Sequence, residues 1–331
     1  MCIDYYRELI RGGSYKVSTA EEARCFSILF DREVAPGEEI SLGELAPRPR
    51  HNRVFENSLE LFTAGLPTPL LKISGEPKEA YAKLEWYNPF SASVKDRTVY
   101  YLLKSTYGDW VVEVSSGNVA IALSALGNVF RKRVKVYLPT AGRYVVPFLD
   151  YLGAEYQLLD VSMTIEALEL LEKDIREGAA HPNQFFNDIN FIAHLRTAAE
   201  LDWQLSSVGK KPSHIIAALG TSGHASALGF YFGARYGTKL IAVQPRDWIP
   251  GIRRVESGMK WIKLVDAEIV EVSLREALEG VRKFAKSFGL LIGPSAGAVY
   301  TAFLRQSASG VYAMVFPDNL FKYSLLLEQF K

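Results

Sequence analysis

The sequence has few cysteines and contains no long apolar run. Only Cys2 and Cys25 occur among 331 residues, and their spacing fits no metal or redox motif. We therefore expect no disulfide framework and a reducing, intracellular setting. No stretch of about eighteen apolar residues occurs, so no transmembrane helix is expected. The acidic, weakly apolar N-terminus does not resemble a signal peptide. These absences predict a soluble cytoplasmic protein.

The charge balance and the scattered histidines exclude further classes of function. Lys and Arg total 38 against 37 Asp and Glu, which gives a formal net charge of +1. Such a balance offers no general attraction for nucleic acids or anionic membranes. The five histidines form no H-E-x-x-H motif, and C-x-x-C is missing, so we expect no metal. Small molecules remain as the expected partners.

From Leu66 onward, strand signals alternate with helix signals. Apolar, β-branched strands separated by helices are typical of an α/β protein whose parallel sheets are covered on both faces. Residues 1 to about 62 precede this pattern and show no motif of their own. Predicted helices include Ile165–Glu177, Ala193–Ser206 and Leu274–Phe288. Predicted strands are Pro69–Ile73, Ala80–Glu85, Val111–Val114, Val134–Leu138, Glu155–Leu159, His214–Leu219, Lys239–Gln244 and Leu290–Ile292.

Three turns rich in small residues each follow an apolar strand and precede a helix. They are Ser115–Asn118, Gly220–His224 and Gly293–Gly297. Such turns lie at the carboxyl ends of parallel strands, where ligands bind, and their backbone N–H groups at a helix start attract anions. One such turn alone is as well explained by packing. Three together predict a crevice for a ligand with a phosphate and a carboxylate.

A fourth motif, NPFSASVKDRT, spans Asn88 to Thr98 and places Lys95 at the start of a helix. The helix dipole disfavours a positive charge at that position. Solvation of the side chain is one interpretation. The other is that Lys95 serves as an amine that forms a Schiff base with a carbonyl cofactor.

Taken in order, these motifs resemble those of the fold-type II pyridoxal-phosphate enzymes, in the cysteine synthase and cystathionine β-synthase group. NQFFNDIN, from Asn183 to Asn190, is similar to a further segment of that group. The resemblance spans about residues 66–318 and implies a tryptophan synthase β-like fold with two open, parallel-type sheets flanked by helices. It implies a large domain (63–88 and 188–331), a small mobile domain (89–187) and a homodimer. The N-terminal extension (1–62) precedes the match and departs from the family pattern; our hypothesis for it is a dimer arm or a lid.

The resemblance also implies roles for individual residues. Lys95 would hold pyridoxal 5′-phosphate as a Schiff base and move protons at the substrate Cα. Asn118 would contact the 3′-oxygen of the cofactor, and Ser295 would face its pyridine nitrogen. The residues implied to bind its phosphate are Gly220, Thr221, Ser222, Gly223 and His224. Those implied to bind the substrate carboxylate are Ser115, Ser116, Gly117 and Gln184.

Two departures from the family pattern bear on these roles. The lysine motif is one residue longer than usual between its asparagine and Lys95. His224 stands where the family usually has threonine. It could donate to the phosphate, or it could cap a helix in solvent.

The segment PRDWIPGIRRVESGM, after the strand that ends near Gln244, carries Arg253 and Arg254. It resembles the archaeal O-phosphoserine sulfhydrylase branch, in which an arginine recognises the substrate phosphate, a role that suits its planar fork. We favour Arg254, with Arg253 as the alternative. Both could instead lie in solvent or pair with Glu256.

The activity implied is replacement of the phosphate of O-phospho-L-serine, or the acetate of O-acetyl-L-serine, by sulfide through an α-aminoacrylate. One alternative is a cystathionine β-synthase that uses serine and homocysteine. A catalytically retired homologue that acts as a binding partner is another. The presence of Lys95, Asn118 and Ser295 argues against retirement.

Overall fold

We describe the fold from a computed structural model, which describes residues 2–47, 49–160 and 170–327. Its strands are β1 (Ser14–Lys16), β2 (Glu39–Ser41), β3 (Leu70–Ser74), β4 (Lys78–Leu84), β5 (Trp110–Val114), β6 (Arg133–Pro139), β7 (Glu155–Leu159), β8 (His214–Ala218), β9 (Lys239–Pro245), β10 (Ala267–Val272) and β11 (Gly310–Phe316). Its α-helices are α1 (Ile3–Gly12), α2 (Ala20–Phe30), α3 (Ser58–Thr63), α4 (Lys95–Lys104), α5 (Asn118–Val129), α6 (Val146–Leu152), α7 (Glu172–Arg176), α8 (Ile189–Ser207), α9 (Gly223–Tyr236), α10 (Leu274–Phe288), α11 (Pro294–Leu304) and α12 (Ser324–Leu327).

Two parallel-type sheets carry the fold. The larger has the strand order β10-β9-β8-β11-β4-β3, and the smaller has the order β5-β6-β7. Neighbouring strands in both are parallel, except that β3 pairs antiparallel with β4. β1 and β2 form a separate antiparallel pair. This arrangement confirms the fold class that the sequence predicts.

The larger sheet is covered on both faces, as its continuous apolar strands require. On β8, Ile215 and Ala217 pack in one core cluster with residues of α1, α2, α8 and α9. Ile216 and Ala218 point the other way, into a cluster with α10 and α11. The two-residue alternation of a strand thus divides its side chains between two apolar layers. The helices on both faces thereby position the turns that connect them to the strands.

The N-terminal extension packs on the body of the protein. Tyr6 and Leu9 of α1 and Phe26 of α2 are fully buried, in the same core cluster as residues of α8 and α9. Cys2 and Cys25 are joined by a disulfide, with their Cα atoms 5.6 Å apart. The expectation of no disulfide was therefore wrong, because packing of α1 beside α2 brings together two cysteines that lie 23 residues apart. The dimer-arm and lid roles stay predictions.

Several local predictions differ from the structure. Leu290–Ile292 is not a strand, and only Ile292 forms an isolated bridge there, to Asn319. β10 was missed, because its sequence, AEIVEV, is partly charged and only partly buried. Residues 165–169 of the predicted helix Ile165–Glu177 lie outside the described residues. The domain boundaries stay a prediction. Within the described part of the chain, no helix combines the length and apolarity needed to cross a membrane.

Candidate active site

The four sequence motifs meet at a cavity of about 560 Å³. Two of the turns come from the carboxyl ends of parallel strands: Ser115 follows β5, and Gly220 lies two residues after β8. The third, Gly293–Gly297, leads into α11 with no strand directly before it. The turn Gly220–His224 is called the phosphate turn below. Its residues Ser222 and Gly223 do not line the cavity. The predicted site residues that line it are Lys95, Ser115, Ser116, Gly117, Asn118, Gln184, Gly220, Thr221, His224, Arg253, Arg254 and Ser295.

The lysine loop, residues 88–95, is stabilised by hydrogen bonds to the residue that follows Lys95. The buried carboxylate of Asp96 accepts from the backbone N–H groups of Phe90 (2.7 Å) and Ser91 (2.9 Å). Burial raises the pKa of Asp96 to about 6, although the hydrogen bonds from Ser91 and Phe90 oppose the rise. Ala92 takes a left-handed conformation, with φ of 48°. These contacts aim Lys95, the first residue of α4, into the cavity.

The amine of Lys95 is set up to react as a neutral nucleophile. Burial lowers its pKa to about 8, and the negative charge of Asp318 opposes that shift. A lysine with an ordinary pKa of 10.5 is almost wholly protonated at neutral pH. A pKa near 8 leaves about a tenth of the amines neutral at pH 7, which suits Schiff-base formation.

Arg97 ties the same helix to the large sheet. Its guanidinium donates to Glu85 (2.7 Å, Nε to Oε2) and to Glu200 on α8 (2.8 Å, Nη1 to Oε2). Lys83 of β4 also donates to Glu200. All four side chains are buried. This cluster of two cations and two carboxylates fastens the start of α4, and with it Lys95, to β4 and α8.

The turn at the start of α9 has the donors that a phosphate needs. Three buried side-chain atoms there have no hydrogen-bond partner in the described part of the chain: Ser222 Oγ, His224 Nε2 and Ser226 Oγ. Backbone N–H groups at this helix start add to them. His224 is only 4% exposed, so the interpretation of it as a solvent-exposed cap was wrong. Burial, with a contribution from Lys95, lowers its pKa to about 3, so the ring is neutral and has one N–H to donate.

Asn118, the first residue of α5, is oriented by residues that sequence reasoning missed. Its Nδ2 donates to Asp318 Oδ2 (2.7 Å), and its Oδ1 accepts from Lys322 Nζ (2.7 Å). Asp318 also accepts from the Tyr323 hydroxyl (2.5 Å). The sequence around Asp318, VFPDN, contains no motif that predicts its entry into the site.

The turn that leads into α5 is closely packed. Ser115 Oγ accepts from the backbone N–H groups of Gly117 and Ala120, both at 3.2 Å. A Cβ on Gly117 would lie 2.7 Å from the hydroxyl of Tyr144, so only glycine fits. Gln184 reaches this turn and donates from Nε2 to the carbonyl oxygen of Val114 (2.8 Å). Tyr144 lines the cavity and has no counterpart among the predicted residues.

The two adjacent arginines have different surroundings. Arg254 pairs with Glu271 of β10 (2.8 Å) and approaches Glu256 (3.4 Å). Arg253 stacks over the ring of Phe185, 4.9 Å from its centroid, and no described carboxylate lies within ion-pair distance of it. Burial lowers the pKa of Arg253. This geometry favours Arg253 as the arginine that binds an anionic ligand, whereas the sequence analysis favoured Arg254. The assignment of either arginine stays a prediction.

These features define a class of site. A reactive lysine, a phosphate-binding turn, an oriented asparagine amide and Ser295 at the start of α11 surround one cavity. The unpartnered donors of the turn beside a lysine of lowered pKa fit a phosphorylated aldehyde that the lysine binds covalently. Pyridoxal phosphate has that chemistry.

The comparisons with known proteins agree with this class. The chain belongs to the pyridoxal-phosphate dependent enzyme family, which it matches over residues 61–316. It is 29% identical to cysteine synthase B of Pseudomonas aeruginosa, over 72% of this chain and 86% of that protein. It is 28% identical to a cysteine synthase of Staphylococcus aureus, over 77% of this chain and 92% of that protein.

A solved structure shows the same relationship. The cysteine synthase of Entamoeba histolytica superposes with a TM-score of 0.72 at 27% identity, covering 86% of this chain and 94% of that one. The protein is therefore a pyridoxal-phosphate-dependent enzyme of fold type II, as the motifs predicted. The role of each individual residue stays a prediction.

Proposed function

We propose that the enzyme is a cysteine synthase that replaces the phosphate of O-phospho-L-serine by sulfide, with O-acetyl-L-serine as the related, weaker substrate. The cysteine synthases among its relatives support the β-replacement. One observation supports phosphate as the leaving group: the guanidinium of Arg253 lies on the cavity wall, and no described carboxylate forms an ion pair with it.

The residues of this chain would share the work as follows. Pyridoxal phosphate, when bound, supplies the electron sink that makes the substrate Cα proton acidic. The amine of Lys95 removes that proton and later returns it. The α9 turn holds the phosphate of the cofactor, and Asn118 and Ser295 fix its ring. The hydroxyl of Ser295, unlike a carboxylate, does not hold a proton on the ring nitrogen, which favours loss of a β-substituent over transamination.

Arg253 is suited to stabilising a departing phosphate. Its backbone N–H donates to the carbonyl of Leu219 (2.6 Å), directly before the phosphate turn, and its Nη2 donates to Ser257 O (2.9 Å). The backbone of Arg253 thus adjoins that turn, and its guanidinium lies over Phe185, the neighbour of Gln184. A phosphate monoester is largely dianionic at neutral pH. The arginine therefore has to stabilise charge on the leaving oxygen and not supply a proton.

The test compares kcat/KM for O-phosphoserine and O-acetylserine, with sulfide, in four proteins. Arg253→Ala should lower kcat/KM for phosphoserine by about 10- to 100-fold, the value of a charge-assisted hydrogen bond, and change acetylserine much less. Arg254→Ala should cost less, because Glu271 already engages that side chain. Arg275→Ala removes an exposed arginine of α10 and controls for the loss of one positive charge.

The other outcomes are equally informative. Equal losses on both substrates would refute the phosphate role of Arg253. Activity on acetylserine alone would refute the leaving-group proposal. Turnover of serine with homocysteine, without cysteine formation, would replace the function by cystathionine synthesis.

The homodimer and the cytoplasmic location also remain proposals. Sedimentation equilibrium of the holoenzyme tests the dimer. Because disulfides are rare in the cytosol, thiol titration of protein isolated under anaerobic conditions tests whether Cys2 and Cys25 are joined in the cell.

A further inference from the structure

Asp318 lies where three of the four motifs meet. It follows β11 by two residues and is fully buried. Its backbone forms a bridge with Ser93 of the lysine loop, and its carbonyl oxygen accepts from the N–H of Gly293 (3.0 Å). Its side chain accepts from Asn118. Asp318 therefore contacts the lysine loop, Asn118 and the turn that carries Ser295.

The carboxylate itself is held in a closely fitted place. Oδ2 accepts from Asn118 and Tyr323, whereas Oδ1 has no hydrogen-bond partner among the described residues. A Cβ on Gly293 would lie 2.0 Å from Oδ1, so only glycine leaves room for this carboxylate. A buried carboxylate oxygen without a donor is costly. Its retention in a residue that bridges to the loop carrying Lys95 points to an electrostatic task.

The Asn118 amide is held in one orientation by Asp318 together with Lys322. Lys322 donates to Asn118 Oδ1 (2.7 Å) and to the carbonyl oxygen of Ser91 (2.7 Å). The ammonium of Lys322 lies 3.8 Å from Asp318 Oδ2. A cation on the amide oxygen and an anion on the amide nitrogen prevent the side chain from flipping. Asn118, held in this way, lines the cavity.

We propose that Asp318 is a positioning residue of this enzyme, which presents the Asn118 amide to the cofactor and holds positive charge at the Lys95 nitrogen. Without an anion in this place, the buried nitrogen would lose its proton more readily, both as the free amine and when bonded to the cofactor. The inference rests on family membership and is independent of the leaving group.

Other titratable groups around Lys95 cannot substitute for this anion. His194 and His224 both sense its charge, but burial lowers the pKa of each, so both are neutral. Asp96 is turned toward the N–H groups of its own loop. The remaining charged or titratable groups near Asp318 are Lys322, Tyr323 and Tyr144. Asp318 is the anion whose field raises the pKa of Lys95 against the effect of burial.

The test measures the pKa of Lys95 in the cofactor-free protein. The rate of labelling by an amine reagent is followed against pH by mass spectrometry of the peptide that contains Lys95. Asp318→Asn keeps the shape and removes the charge, and should lower this pKa by about one unit. Glu113→Gln is the matched control: it removes another buried, hydrogen-bonded carboxylate, from β5, and should leave the pKa of Lys95 unchanged.

A second arm keeps the proposal testable if Asp318→Asn does not fold. Lys322→Met removes the cation beside Asp318 and leaves that carboxylate unbalanced, so the pKa of Lys95 should rise. An unchanged pKa in Asp318→Asn, or no rise in Lys322→Met where only that variant folds, would overturn the proposal. Failure of the wild-type protein to make cysteine would refute the proposed function and still leave this measurement interpretable.

Discussion

Replacing Arg97 by methionine should destabilise the protein strongly, and more at neutral than at acidic pH. Arg97 donates to Glu85 and Glu200, and all three side chains are buried. Breaking a buried pair by removing one partner costs about 3–5 kcal/mol, because a charge remains without compensation. In the wild type, burial acts to raise the pKa of Glu85, but the charges of Arg97 and Lys83 outweigh it and the pKa is lowered.

The pH dependence of this loss has a definite sign. In Arg97→Met, burial should raise the pKa of Glu85 above its ordinary value of 4.5. The folded state then binds the proton more tightly than the unfolded state, so the variant gains stability as the pH falls toward 4.5. In the wild type, the lowered pKa of Glu85 keeps its stabilisation intact above 4.5. The difference between the two proteins should therefore shrink between pH 7 and pH 5.

The assay is urea unfolding of both proteins at pH 7 and pH 5. Arg275→Met, on a side chain that is 89% exposed, is the control and should change stability by less than about 0.5 kcal/mol. The double variant Glu85→Gln with Arg97→Met should lose less than Arg97→Met alone, since no unpaired carboxylate is left. A loss below about 1 kcal/mol, well short of the range for a broken buried pair, or a loss that stays constant with pH, would refute this reasoning.

Three further predictions concern packing, the disulfide and the phosphate turn. In thermal denaturation, Gly297→Ala should cost about 1–3 kcal/mol, because its Cβ would lie 2.3 Å from a backbone carbonyl oxygen; Gly233→Ala, whose nearest contact is at 3.7 Å, should stabilise α9 by about 0.5–1 kcal/mol. Dithiothreitol should destabilise the protein by about 3 kcal/mol through Cys2 and Cys25 and have no effect on the variant with serine at both positions; an equal response would count against the disulfide. His224→Leu should weaken cofactor binding by about tenfold and His224→Thr much less, in fluorescence titrations of cofactor-free protein; equal affinities would exclude a phosphate contact.

The parts of the site that the sequence predicted are those written as local motifs. Ser115 and Gly220 each lie in a short turn whose composition predicts a strand–turn–helix junction, and parallel-sheet topology brings such turns to one edge. Ser295 was found from the same turn composition, although no strand directly precedes its turn. Convergence of the motifs on one cavity was predictable for that reason.

The parts that were missed depend on pairings between distant residues. Asp318 meets Asn118 across 200 residues of sequence, and Tyr144 contacts Tyr323, which is also far from it in the chain; no local pattern encodes either contact. The order of Arg253 and Arg254 was likewise not predictable. It depends on Glu271, which lies in β10, a strand that was missed because AEIVEV carries two glutamates.

The position of Asp318 in the chain has a consequence for synthesis. Asp318 leaves the ribosome 200 residues after Asn118, which at ordinary rates of translation is about 10–40 s later. Only once residue 224 has been made does the nascent protein carry both the reactive lysine and the turn Gly220–His224, and it still lacks the carboxylate of Asp318. The cofactor site therefore matures late, after every described strand has been made. A nonsense mutation directly after β11 would spare those strands and still leave the lysine without its anion.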